Sequence, residues 1–181
     1  MELREEKVSG KTVYEGVIVN VRLDKARLLD GRITNREVVE HPGGVAVFAM
    51  DDEERVILVR QFRYPMGEVV LELPAGKLEP GEDPREGGLR ELAEETGLEP
   101  QTFLPMGCSF SSPGILAEKI HLYFAKDLVQ GQGHPDDGEF LEVLRVPYDQ
   151  LMDMVAQGKI EDGKTLAGIL KASLILKGSK H

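Results

Sequence analysis

The sequence predicts an α/β protein, a sandwich built on a mixed β-sheet with a small N-terminal antiparallel β-unit ahead of it. Three observations predict it. Short runs rich in Val, Ile and Leu recur through residues 12–73 and again through 103–146. One segment of helical period, 86–96, lies between these groups, and two more close the chain. The order of strands, helix, strands, helices lacks the regular βα alternation that a doubly wound parallel sheet requires.

The N-terminal unit is expected to span residues 1–41. Thr12 to Arg22 and Lys25 to Leu29 read as strands, and Asp30-Gly31 is a strong hairpin turn into a third, Arg32 to Glu40. His41-Pro42-Gly43-Gly44 punctuates the chain and marks the boundary with the main domain, 42–181. There, Val45 to Met50, a polar turn at Asp51 to Glu54, and Arg55 to Gln61 read as a second hairpin. Val69 to Leu73 is a short strand ended by Pro74. Strands are expected at Phe103 to Ser109, Lys119 to Ala125 and Phe140 to Val146, with a polar loop at Gly131 to Gly138. Tyr148 to Gln157 and Lys164 to Lys177 read as helices.

Composition bounds the function. With 181 residues, 41% of them hydrophobic, the chain can bury a core of ordinary size. No run of 18 apolar residues is present, which excludes a transmembrane helix. The opening MELREEKVSG has no apolar signal core, and the single Cys108 cannot form an intrachain disulfide, so a cytoplasmic location is expected. A net charge of −10 and no Lys/Arg run argue against nucleic-acid partners. A phosphate-bearing small molecule remains compatible if divalent cations screen the carboxylates. The four histidines have no metal-ligand spacing, and Cys108 has no paired histidine motif.

The segment 83–97 carries the chemistry. Asp83 can cap a helix, Pro84 suits its first position, Glu86 falls where a capping box places it, and Gly97 is placed to stop it. At 100° per residue Leu89, Leu92, Ala93 and Thr96 share one arc, and Arg90, Glu91, Glu94 and Glu95 the opposite one. Glu91 therefore neighbours both Glu94 and Glu95. Each like-charge pair costs a few tenths of a kcal/mol, roughly, in an isolated helix. The macrodipole also disfavours anions in the last turns. A solvated acidic face is the ordinary outcome for such residues, yet helix physics alone would not select this cluster. A bound Mg²⁺ or Mn²⁺ would turn the repulsion into coordination.

The segment resembles the Nudix hydrolase family. That signature reads Gly, five residues, Glu, seven residues, then Arg-Glu-aliphatic-any-Glu-Glu-any-Gly-aliphatic. It is met at every fixed position by Gly76, Glu82, Arg90, Glu91, Leu92, Glu94, Glu95, Gly97 and Leu98. The resemblance implies a Nudix-type α/β/α sandwich that cleaves a diphosphate with two or three Mg²⁺ or Mn²⁺ ions. It implies Glu91 and Glu95 as direct metal ligands and Glu94 as a ligand directly or through water. The backbone oxygen of Ala75 would join them, Arg90 would orient the glutamates, and Glu82 would be an auxiliary ligand or a loop anchor.

Features outside the signature resemble the ADP-ribose pyrophosphatase branch. They are Arg36-Glu37, Gln61-Phe62-Arg63, Ser112-Pro113-Gly114, Glu118 and the acidic loop Asp136-Asp137-Gly138-Glu139. By this resemblance Arg36, Glu37, Arg63, Ser112, Pro113 and Gly114 contact substrate, and the general base is Asp137, Glu139 or Glu118. Asp137 stands where relatives usually carry the longer Glu. By the same resemblance the β-unit would exchange between the two subunits of a homodimer, so that Arg36 and Glu37 contact the nucleotide held by the partner. GDP-mannose or NADH are the rival substrates, and a nucleotide-sensing module without hydrolysis is the rival from another class.

Overall fold

The computed structural model describes residues 3–131 and 140–178. The chain forms two compact units, one of Met1–Gly43 with Phe110–Lys119 and one of Gly44–Ser109 with Ile120–His181.

The first unit holds an antiparallel sheet of β1 (Glu6–Glu15), β2 (Asn20–Arg27) and β3 (Ile33–Glu40). The first strand starts earlier than its apolar pattern suggested. Residues 16–19 form a turn, closed by the Gly16 N–H on the Val19 carbonyl at 3.0 Å, which divides the stretch expected as one strand. Asp24 is buried at the centre, held by Arg22 at 2.8 Å and Lys7 at 3.0 Å. Gly10 faces it in register, and a Cβ there would lie 1.9 Å from the Asp24 carboxylate, so only glycine fits. The returning segment is tied to β3 by the Val39 N–H on the Ile115 carbonyl and the Ala117 N–H on the Val39 carbonyl, both at 2.8 Å.

The second unit is built around β4 (Gly44–Ala49), every residue of which is buried. It lies in a mixed four-stranded sheet ordered β7 (Ala75–Lys77), β4, β9 (Lys119–Gln130), β8 (Leu98–Phe110). The β4–β9 pair is parallel and the β4–β7 pair antiparallel. The near-continuous apolar run of β4 follows from having both faces covered. Ala46, Phe48 and Met50 face one core with α2 (Tyr148–Ala156) and α3 (Gly163–Gly178) packed on it. Val45, Val47 and Ala49 face the other, which includes Leu92 of α1 (Pro84–Thr96). This is the α/β/α sandwich the sequence predicted.

A second antiparallel sheet is ordered β10 (Leu141–Pro147), β5 (Arg55–Arg63), β6 (Glu68–Glu72). The hairpin expected of residues 45–61 does not form as a ladder. A single bridge joins Met50 and Val56, and the two strands enter different sheets. The turn between them is closed by the Asp51 carboxylate, which accepts from the N–H groups of Glu53 at 3.0 Å and Arg55 at 2.9 Å. Such Asx-type bonds fix the exit direction independently of strand pairing.

Candidate active site

The helix α1 begins and ends as its sequence signals. The Asp83 side chain accepts from the Arg85 N–H at 2.8 Å, Pro84 takes the first position, and Gly97 closes the helix at φ 69°. Two glycines inside it, Gly87 and Gly88, bring its backbone close to the core. A Cβ on Gly87 would lie 2.7 Å from Leu78, and one on Gly88 2.9 Å from Phe103.

Arg90 is the hub of the acidic face. Its Nε and Nη2 donate to the two oxygens of Glu82 at 2.8 and 3.0 Å, and its Nη1 to Glu91 and Glu94, both at 2.8 Å. Nη2 also reaches the Lys77 carbonyl at 3.2 Å, which ties the helix to the end of β7. The bond that Arg90 donates to Glu82 is the main reason the guanidinium's pKa is raised against the effect of burial, with the Glu91 charge and the bonds to Glu94 and Glu91 adding to it. Glu82 is held below the usual carboxylate range by the same bond. Its Oε2 additionally accepts from the Glu79 N–H at 2.9 Å, so this carboxylate closes the loop ahead of the helix.

Glu95 departs from the helical-wheel reading. It is buried, 5% exposed, and its carboxylate accepts the Ala75 N–H at 2.9 Å. The wheel placed Glu95 with the outward acids, but the short strand β7 lies along that side of α1. Ala75 pairs with Ala46 of β4, and the Pro74 carbonyl accepts from the Val47 N–H at 2.9 Å, so the segment is fixed against the central sheet.

Gly76 supplies the other contact. A Cβ on it would lie 2.0–2.1 Å from the carboxylate of Glu91. The Glu91 carboxylate is therefore seated directly over the Gly76 backbone, in a cradle that any side chain would fill. Among the described residues, no three His, Cys, Asp or Glu side chains converge as they stand to hold a metal ion. The physical reason is visible: Arg90 occupies the space between Glu82, Glu91 and Glu94, and Glu95 is turned to Ala75. The donor set still fits a hard divalent cation, since several carboxylates and the Ala75 carbonyl lie within one short loop and one helix face.

A second charged cluster lies in the same unit. Arg63, at the end of β5, donates through Nε and Nη2 to Glu72 at 2.6 and 2.8 Å. Glu72 is 1% exposed and also pairs with Lys164 at the start of α3. Burial works to raise its pKa, but the Arg63 fork and Lys164 outweigh this and hold it low. Sequence reasoning found Arg63 but missed Glu72 and Lys164. The available signal was a charged residue at an inward position of a short apolar strand.

The remaining expected residues lie in the first unit or outside the described residues. Arg36 is paired with Glu5 at 2.9 and 2.6 Å. Glu37, with Ser9, Lys11, Asp24 and Asn35, lines a cavity of about 440 Å³. Ser112, Pro113 and Gly114 are exposed. Glu118 accepts from the Ser111 hydroxyl and lies 3.4 Å from His41 Nδ1, which itself accepts the Gly43 N–H at 3.0 Å. Asp137 and Glu139 lie outside the described residues.

The mixed-sheet sandwich thus carries an arginine-organised glutamate helix against a glycine cradle. The NUDIX domain model matches residues 40–168, and the chain belongs to the Nudix family. It is similar to the ADP-ribose pyrophosphatase of Bacillus subtilis, at 35% identity over 92% of this chain and 91% of that one. It is also similar to the methanol dehydrogenase activator of Bacillus methanolicus, at 37% identity over 93% and 92%. The GDP-mannose pyrophosphatase of Cronobacter sakazakii is 33% identical over 98% of both chains. A crystal structure of an ADP compounds hydrolase superposes with a TM-score of 0.87 over 99% and 98% of the two chains, at 21% identity, and it shows the same fold. The chain is an enzyme of the pyrophosphohydrolase class. No helix among the described residues is long and apolar enough to cross a membrane.

Proposed function

We propose that this enzyme hydrolyses ADP-ribose to AMP and ribose 5-phosphate in a Mg²⁺-dependent reaction. The observation that carries the reading is the seat of Glu91 on the Gly76 backbone beside Glu94, Glu95 and Ala75. Glu91, Glu95 and the Ala75 carbonyl would hold the metal, with Glu94 direct or through water and Glu82 keeping the loop in place. Two or three Mg²⁺ ions, or Mn²⁺ in their stead, would supply charge neutralisation of the diphosphate and a more acidic attacking water.

The chain's own groups do the rest. Arg90 spaces Glu91 and Glu94 by donating from one nitrogen to both. Arg63 presents guanidinium donors to a phosphate oxygen, and in a homodimer Arg36 and Glu37 would contact the nucleotide held by the partner subunit. A carboxylate, Asp137, Glu139 or Glu118, accepts the proton as water adds to one phosphorus and the bridging oxygen leaves with the other.

Support for the substrate comes from the full-length similarity to the Bacillus subtilis ADP-ribose pyrophosphatase. GDP-mannose is the second reading, because a relative of that name matches nearly end to end. The exposed Val8, Val13, Tyr14, Val17 and Ile18 of the N-terminal unit, residues 1–41, support a homodimer formed through it. Cys108, free in a chain with a single cysteine, suits a cytoplasmic setting. The test is a panel of ADP-ribose, GDP-mannose and NADH with Mg²⁺ or Mn²⁺, the products separated by chromatography. AMP and ribose 5-phosphate from ADP-ribose, lost on chelation, are expected. Preference for GDP-mannose or NADH would replace the substrate, and no metal-dependent cleavage of any would overturn the reading.

A further inference from the structure

The strand-to-loop segment 72–75 is tied at every residue. The Glu72 side chain bridges Arg63 and Lys164. The Leu73 N–H donates to the Thr165 hydroxyl at 2.9 Å, and that hydroxyl donates to Asp162 at 2.6 Å. The Pro74 carbonyl accepts from Val47, and the Ala75 N–H donates to Glu95. Gly168 lets α3 come close enough that a Cβ there would lie 2.5 Å from Leu73. The start of α3 thus braces the very stretch that ends at the Glu95 contact.

Glu72 holds a particular place in this brace. It pairs in register with Val59, four residues before Arg63, so the Arg63 side chain must run back along β5 to meet it. Only a long side chain with a planar fork spans that offset with two bonds. The fork uses Nε and Nη2, which turns the Nη1 edge away from Glu72. A buried carboxylate costs several kcal/mol, roughly, unless it is paired, and two cations meet this one. An apolar residue would serve stability as well; it would leave Arg63 free to swing.

We propose that Glu72 is a positioning residue, which fixes the Arg63 guanidinium as a phosphate donor, with Lys164, itself paired with Asp162, holding Glu72 from the other side. This rests on the diphosphate-hydrolase reading above. If Glu72 acts through Arg63, its loss weakens substrate holding more than the chemical step, so KM rises more than kcat falls.

The experiment is a double-mutant cycle on whichever panel substrate the wild type cleaves fastest, with the fold followed by circular dichroism. Glu72→Gln is expected to lower kcat/KM about 30-fold, mainly through KM, and Arg63→Ala about 100-fold. The double variant is expected within about threefold of Arg63→Ala alone, because both changes remove one interaction. A Glu72→Gln within about threefold of wild type, or a double variant showing the full product of the two losses, overturns the proposal. If Glu72→Gln does not fold, Arg63→Lys replaces it. Lysine keeps the charge without the fork, so a KM about tenfold higher is expected, and an unchanged KM overturns the proposal. A wild type that cleaves nothing on the panel overturns the hydrolase reading itself, whereas an active wild type with an indifferent Glu72→Gln overturns this inference alone.

Discussion

The two charged clusters of the second unit are built on opposite plans. Around Arg90 one guanidinium serves three carboxylates, Glu82, Glu91 and Glu94, and Glu95 lies on the same helix. Around Glu72 one carboxylate serves two cations, Arg63 and Lys164, and Asp162 closes on Lys164 at 3.1 Å. The second cluster is balanced and complete in itself. The first has an excess of negative charge at the C-terminal half of a helix, where the macrodipole adds to the cost. A protein tolerates such an excess where something positive is to be bound, and a divalent cation with a diphosphate is what this donor set suits. On the proposed reading the balanced cluster orients Arg63, and the unbalanced one would hold the cation.

This contrast can be broken most sharply at Gly76. Gly76→Ala places a methyl where the Glu91 carboxylate now sits, so Glu91 must leave its seat. Turnover should fall about 100-fold or more, of the order expected when charge stabilisation at the reacting phosphate is lost. The melting temperature should move little, because neither core includes Gly76. Activity near wild type in Gly76→Ala, with the fold intact, would show that the seat of Glu91 has no catalytic meaning.

A smaller effect distinguishes the clusters from an ordinary acidic surface. Glu72 and Glu82 both have folded-state pKa values below their unfolded ones. Their contribution is complete above the unfolded carboxylate value of about 4.3 and is withdrawn as pH falls through the lower folded values. Thermal melts should therefore be flat from neutral pH down to about 5 and fall below about 4.3. Glu72→Gln should flatten part of that acid limb. An acid limb unchanged by Glu72→Gln would mean the buried pair contributes nothing to the titration.

Much of helix α1 was legible because its signals are local. Asp83, Pro84 and Gly97 announce its ends within a few residues, and the spacing of Gly76, Glu82, Arg90 and the glutamates needs no tertiary information. The inward turn of Glu95 was not legible, since a helical wheel does not know that β7 lies against that side. The three residues of β7 were invisible as a strand, being too few to show alternation between Pro74 and the loop. The Glu72 cluster was hidden by distance: Lys164 and Thr165 stand 92 residues from Glu72 and Leu73. The pairing of residues 45–61 misled because a polar turn between apolar runs looks the same whether the strands pair or part. Here Asp51 closes the turn by itself.

The central claim is that the glutamates of α1 carry the reaction, and Glu95→Gln tests it most directly. The change keeps shape and removes one charge at the residue that joins the helix to Ala75. With Mg²⁺ and ADP-ribose, AMP release should drop about 1,000-fold or more, equivalent to roughly 4 kcal/mol of barrier. The circular dichroism spectrum should match wild type. AMP release by Glu95→Gln at a rate close to that of the wild type would contradict the account.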